Sequence, residues 1–437
     1  MVEALAAAAA KGPEGFADGL DEALAAAFGE SLRGTLSEAY SAWAELAKQP
    51  GTVCHRTVGI VTCAGRVAIR YPYAPGKGVG KALVATLAAR RRPDGNPACP
   101  PVREGPRATP AARRAVAEAG VRLGSYAEAR ESLARGHAIE LSESSIRAVV
   151  GEAAEETLRA WTEGTLQVAR LVLPNARLPK GAREVGPTLA LFTDGTGAPC
   201  VRADTEGVRG RDGEEAATRE IKLGAIARYT HVDRDGRPIL RRGEVWYFAT
   251  GGDRGQLQEL LLRLARRRGL GTIRRVQYMG DGAPWVQKIW EEAFAPCGVR
   301  RSLDIIHACG YLHLVLEALC APGRLEADYK RFRRRLKTWG GESLLRGLAE
   351  RYGPDAVRAL SGDALAAWNY LEERAWMMDY RQLRREGYFI GSGLIESACK
   401  MLVAARCKLA GMHWRHRNAA ALALLRGTLR SNFLIAV

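Results

Sequence analysis

Three shortages in this chain narrow what it can be. Long apolar runs are missing: nowhere in the 437 residues do about 20 apolar side chains follow one another, so no membrane-spanning helix is expected. Paired cysteines are missing too. The nine cysteines are scattered without any C-x-x-C spacing, and an odd count of unpaired thiols fits a reduced, cytosolic protein better than a disulfide framework. Acidic residues are outnumbered, 48 Asp and Glu against 65 Lys and Arg, which leaves a formal net charge of +17. That excess favours a polyanionic partner such as nucleic acid, although a general bias toward Arg and Ala would produce part of it.

The length suits two or three domains. The run from Ala4 to Ala10 lacks a cationic start and meets Lys11, Gly12 and Pro13, so no signal peptide is expected. Residues 14–48 carry Leu20, Leu24, Phe28, Leu32 and Leu36 at helical spacing. "RTVGIVTCAGRVAIRYPY" alternates around Ala64-Gly65 and predicts a β-hairpin, which closes a first region at 1–73. Residues 74–109 form a basic Pro- and Gly-rich linker. Its "GKGVGK" resembles a phosphate loop, but Pro75 stands where the first glycine belongs and Ala82 where a hydroxyl would hold Mg²⁺. Zinc on Cys54, His55, Cys63 and Cys99 is not expected either, because no closely spaced pair is present.

Residues 110–180 read as three helices. Pro110 opens the first, which carries Arg113 and Arg114; "SYAEARESLARG" is the second; Ser142 caps a third that carries Arg147. Two short helices, a Gly-containing turn and a third helix fit a helix-turn-helix that docks on DNA or protein, with a three-helix packing unit as the alternative. From 188 to 307 the pattern becomes strand, strand, strand, helix, strand, helix, strand. This predicts the α/β class, a mixed sheet with helices on its faces. Residues 308–390 contain little but helix signals and form a large helical insertion, before a final helical segment at 391–437.

Two Asp-Gly pairs end strands of this sheet, Asp194-Gly195 in "ALFTDGTGAP" and Asp281-Gly282 in "YMGDGAPW". Either alone is an ordinary turn signal. Together, at neighbouring strand ends where α/β sheets bind ligands, they suggest a pair of metal ligands. Mg²⁺ takes oxygen ligands, and two ions about 4 Å apart serve phosphodiester chemistry. The third acid such a site needs is Glu396, near the start of a helix in "GSGLIESACKMLVAARCKLAGMHW", with Lys400 one turn on.

The blocks "FTDGTGAP", "REIKLGAI", "YMGDGAPWV", "LDIIHACGYL" and "GSGLIESACKMLVAARCKLAGMHW" resemble, in order, those of DDE transposases of bacterial insertion sequences. The likeness is to the ISKra-like group, related to the ISLre and Mutator-like groups, over residues 110–430. The resemblance implies an RNase H-like fold with a helical insertion and a catalytic triad of Asp194, Asp281 and Glu396 that holds two Mg²⁺ or Mn²⁺ ions. It implies strand cleavage and strand transfer on terminal inverted repeats and target DNA, by a homodimer or higher homo-oligomer in the bacterial cytoplasm at the nucleoid. "LDIIH" is similar to a D-x-x-H element, giving Asp304 and His307 an auxiliary role. A buried pair that only ties strand to helix is as good a reading of those two residues. Relatives often carry a paired-cysteine zinc element after the hairpin, and this chain departs from that.

Two further stretches suit a DNA path. "GMHWRHR" sets Trp414 between basic side chains, with Arg415 and Arg417 beside it, for stacking and phosphate contact. The run Lys330, Arg331, Arg333, Arg334, Arg335 and Lys337 puts six cations in eight residues, on a DNA-facing or merely solvated helix. The alternative function is a catalytically silent DNA-binding remnant or repressor with the same fold. A resolvase or RNA nuclease would share the acids but act on branched or hybrid substrates.

Overall fold

The computed structural model describes residues 29–42, 44–45, 54–62, 64–73, 108–168, 177–210, 213–241 and 243–437. The "GKGVGK" stretch, Cys63, Cys99, Leu20, Leu24 and Phe28 lie outside them, as does the linker up to residue 107. Two compact units result: Met1–Thr157 with Ile435–Val437, and Leu158–Leu434.

In the first unit a helix at 29–42 (α1) precedes the antiparallel hairpin of β1 (Cys54–Thr62) and β2 (Gly65–Tyr73). Gly65 takes φ +99° at the corner, where a side chain would be strained. Ile60, Val67 and Ile69 bury their side chains with Ala44, and Leu36 and Tyr40 pack against them. Three helices follow: α2 (Pro110–Arg122), α3 (Tyr126–His137) and α4 (Glu143–Glu163). Each begins at a hydroxyl that accepts a backbone N–H: Thr109 from Ala112, Ser125 from Glu128, Ser142 from Ser145. Glu128 reaches back to the N–H of Gly124, so two orphan donors are satisfied at one helix start.

The second unit begins inside α4, whose last turn delivers Trp161 to the sheet core. Its indole donates to Thr428 Oγ1 at 2.9 Å and meets Trp246 and Phe433 edge-on. The sheet has five strands, β3 (Arg183–Pro199), β4 (Thr218–Val232), β5 (Val245–Thr250), β6 (Arg275–Gly280) and β7 (Arg300–Leu303), in the spatial order β5-β4-β3-β6-β7. β4 and β5 run antiparallel to their neighbours, whereas β3, β6 and β7 are parallel. The sheet is therefore mixed, as its pattern predicts. β6 and β7 are reached through helical crossovers, which parallel strands require.

Helix α5 (Arg254–Arg267) shows how the sheet is covered. Asp253 caps it by accepting from Gln256 N–H at 2.9 Å. Leu257, Leu260, Leu261, Leu264 and Ala265 recur at the spacing of one face, and all are buried. Each such leucine stabilises the fold by about 1.5–3 kcal/mol relative to exposure.

Beyond β7 the chain is helical to residue 390, in α6 (Ile305–Leu319), α7 (Leu325–Tyr352), α8 (Gly362–Glu373) and shorter turns. Leu312, Leu316, Phe332, Leu336, Leu348 and Leu371 lie in a hydrophobic core of this part. α7 is kinked at Gly340, which adopts φ +81°. The chain then returns to the sheet in α9 (Gly393–Ala398), continues as a π-helical turn at Cys399–Ala404, and ends with α10 (His416–Arg430). Among the described residues no helix is long and apolar enough to cross a membrane.

Candidate active site

The carboxyl ends of the parallel strands carry the acids. Pairing between β3 and β6 stops at Phe192 and Met279. Asp194 follows two residues on; Asp281 lies one residue past β6, and Asp304 one past β7. Asp194 is nevertheless not a corner, as the sequence suggested. β3 continues to Pro199, with Asp194 opposite Leu223 and Gly195 opposite Lys222 of β4. The two Asp-Gly pairs therefore differ. Gly282 sits at φ +77°, and a Cβ there would come within 2.6 Å of the Tyr370 hydroxyl. Gly195 lies in extended strand, where a Cβ would run into the side chain of Glu220.

Asp194 is half-buried and poorly supplied with donors. One oxygen accepts from Gly195 N–H at 2.7 Å, and the other from the Cys399 thiol at 3.3 Å. Burial pushes its carboxyl above the ordinary value against those two donors, and the charge of Asp281 pushes the same way. Burial and the neighbouring Asp194 in turn hold the Cys399 thiol far above its usual range. Asp281 accepts from Ala283 N–H at 3.0 Å. Its backbone carbonyl accepts from the Tyr370 hydroxyl, and Arg374 donates to the Gly282 carbonyl at 3.3 Å. Tyr370 of α8 and the following Arg374 thus hold the turn that carries Asp281.

Asp304 is fully buried and fully supplied. Oδ2 accepts from both the backbone N–H (2.9 Å) and Nδ1 (2.7 Å) of His307, which also makes Asp304 the cap of α6. Oδ1 accepts from Ser392 N–H at 2.7 Å. Burial alone would raise this carboxyl, but the His307 ring, the two N–H groups and the His307 charge hold it below its ordinary value. Asp304 in turn raises the His307 pKa, against burial, with further help from Asp281 and Glu396. The Ser392 hydroxyl donates to Glu396 Oε1 at 2.8 Å. Beside it, Ile305 N–H donates to the Ile390 carbonyl at 3.0 Å. The Asp304 segment and the Glu396 segment are in this way tied together across the whole insertion.

Ligand atoms of Asp304, His307 and Glu396 lie within 4.8 Å of one another, a spacing compatible with one metal ion. Asp194 and Asp281 border this trio without belonging to it. The site brings together all five acidic and histidine positions singled out in the sequence. Lys400 is different. Cys399, the first residue of the π turn, meets Asp194, and Lys400 is exposed.

Several basic residues expected to face DNA do not. Arg113 is only 5% exposed and pairs with Glu152 at 2.6 Å, joining α2 to α4. Arg114 is half-buried and donates to the Ile435 carbonyl at 3.3 Å. Trp414 is buried, bonded to the Cys407 carbonyl and covered by the Arg406 guanidinium, so no base can stack on it. Arg415 pairs with Asp204 at 2.9 Å, at the surface. Arg335 turns to Ser343 and Glu350. Arg147 lies over the Tyr126 ring on its exposed side, while Lys330, Arg331, Arg333, Arg334 and Arg417 remain exposed. A neutral spacing pattern cannot tell these classes apart, because the acids that claim Arg113 and Arg415 lie 39 and 211 residues away.

Tyr370, Arg374 and Cys399 carry no sequence signal of their own, whereas Ser392 stands where the helix start before Glu396 is expected.

No family model matches the chain, and no curated protein does. Among solved structures, a chain of the Drosophila P element transposase strand transfer complex is similar over 74% of this chain and 81% of that chain, at 11% identity and a TM-score of 0.22. At that TM-score the likeness carries no argument.

Proposed function

We propose that the protein is a DDE-type DNA transposase with an RNase H-like catalytic core, in which Asp194, Asp281 and Glu396 hold two Mg²⁺ or Mn²⁺ ions. The observation that carries this reading is the meeting of carboxylates from distant chain segments at the ends of parallel strands. One of them, Asp194, is held by a thiol and a single N–H, with its pKa raised. An all-oxygen donor set of this kind suits Mg²⁺. Bound there, divalent ions supply an activated water or 3′-hydroxyl and neutralise the leaving oxygen of a phosphodiester.

The chain's own residues do the positioning. Asp304 fixes Ser392 through its N–H, and Ser392 fixes Glu396 through its hydroxyl. The pKa of His307 is raised by its bond to Asp304 and by the charges of Asp281 and Glu396, so its charged form, when present, weakens the repulsion between the acids and an incoming phosphate. Tyr370 and Arg374 hold the Asp281–Gly282 turn. The net charge of +17 provides the long-range attraction for duplex DNA. In this reading α2 to α4 form the helix-turn-helix that docks on terminal inverted repeats, with Arg147 on the exposed side.

The test is nicking of a plasmid carrying the DNA that flanks the gene, with Mg²⁺ present. Asp194→Asn, Asp281→Asn and Glu396→Gln should each slow cleavage by a factor on the order of 10²–10³ while salt-sensitive DNA binding persists. Nicking at the parent rate by any of the three would remove that residue from the triad. Binding by the parent protein without any cleavage would leave a repressor.

A further inference from the structure

The cationic run of α7 does not act as one face. Lys330 pairs with Glu326 within its own helix, and Arg335 is held by Ser343 and Glu350. Arg333 and Lys337, one turn apart, instead reach a cavity of about 490 Å³ between α6 and α7. Its remaining lining is Ile305, Ile306, Ile390, Cys309 and Gly310, with the rings of Tyr329 and His313 in edge contact. The volume falls in the range of small-ligand sites, roughly 300–1,000 Å³.

Its location matters as much as its shape. Ile305 and Ile306 are the two residues between Asp304 and His307, and Ile390 is bonded to Ile305. Two walls of the cavity are thus next in the chain to Asp304 and His307. Ile306 is also 59% exposed, a large apolar side chain standing at the rim.

We infer that this cavity receives one unstacked nucleotide of the DNA strand, adjoining the phosphate at the acid site. The inference rests on the proposed DNA-processing function and adds the form in which the strand is held. Apolar and aromatic walls suit the face of a base, and two cations suit the phosphate that travels with it. A phosphate of an intact duplex would satisfy Arg333 and Lys337 but would leave Ile305, Ile390 and Tyr329 uncovered. Ile306 is the wedge that replaces the departed base in the stack, as apolar side chains do in kinked duplexes.

The probe is a short duplex with a single-nucleotide bulge occupied by a fluorescent adenine analogue, compared with the same duplex fully paired. The full-length protein should bind the bulged form about tenfold more tightly, with a change in the analogue's emission. Arg333→Ala combined with Lys337→Ala, and separately Ile306→Ser, should reduce that preference to less than about twofold. All three positions are exposed, so the fold does not depend on them. Equal affinity for the two duplexes, or a preference that survives both variants, overturns the inference. Plasmid nicking by the parent protein separates the two ideas. Nicking without bulge preference removes only the nucleotide pocket, whereas bulge preference without Mg²⁺-dependent nicking keeps the pocket and removes the transposase reading.

Discussion

Asp194 and Asp304 stand two strands apart in the same sheet and meet opposite fates. Asp304, at the end of β7, is wholly out of solvent and answered by three donors, one of them an imidazole with a raised pKa. Asp194, in the middle of β3, is half-buried and answered by one N–H and one thiol. Burial disfavours the charge in both places; only at Asp304 do the donors overcome it. The carboxyl ends of neighbouring strands therefore hold one acid with three donors and one with two, and the proposed metal site gives the second a use for its remaining lone pairs.

Three measurements bear on that contrast, in falling order of effect. Asp304→Ala should cost about 3–5 kcal/mol in urea unfolding, because it strands His307 and the Ser392 N–H and uncaps α6. Asp194→Asn without added metal should change stability by less than about 1 kcal/mol. If the two losses were equal, the distinction between frame and metal seat would collapse.

Mg²⁺ at a hundredfold excess over its Kd should stabilise the parent by about 2.7 kcal/mol, read as a shift of the thermal midpoint. The shift should largely vanish in Asp194→Asn and persist in Lys400→Ala. An unchanged shift in Asp194→Asn would place the ion elsewhere, with Asp304, His307 and Glu396 the next candidates.

The smallest effect concerns pH. The folded pKa of His307 lies above its unfolded value of about 6.5, so its stabilising contribution is complete below that value and is lost as pH rises through the folded pKa. Asp304 moves in the other direction and stays charged throughout this window. The stability advantage of the metal-free parent over His307→Asn should therefore be greatest under mildly acidic conditions and shrink on the alkaline side. An advantage that grew with pH would show that His307 is held neutral.

Much of this was legible because local chemistry agreed with global demand. The hairpin at Ala64-Gly65, the helix opened by Pro110, the cap at Ser142 and the apolar period of α5 were all readable from spacing, and all are present. The place of Asp281 was readable because it directly follows the apolar strand β6. What escaped depends on distant partners or on helix pitch. Nothing near Asp194 announces that β3 continues five residues beyond it, since the pairing that extends it comes from β4. The π turn that follows Ala398 has no marker in its composition. The burial of Trp414 arises from a β-bridge to Cys200, far away in sequence.

The hydrogen bond from Ile305 to Ile390 has a consequence for how such a chain can change over time. It closes the insertion at its base, so that everything from α6 to Phe389 forms an excursion that leaves and re-enters at one port. Lengthening a closed excursion adds little entropic cost. A change of length is therefore cheapest at the far turns of this excursion, whereas its returning end is bound to the sheet by Glu386, Gly387 and Phe389, and Tyr370 of α8 and the following Arg374 bind it to the Asp281–Gly282 turn.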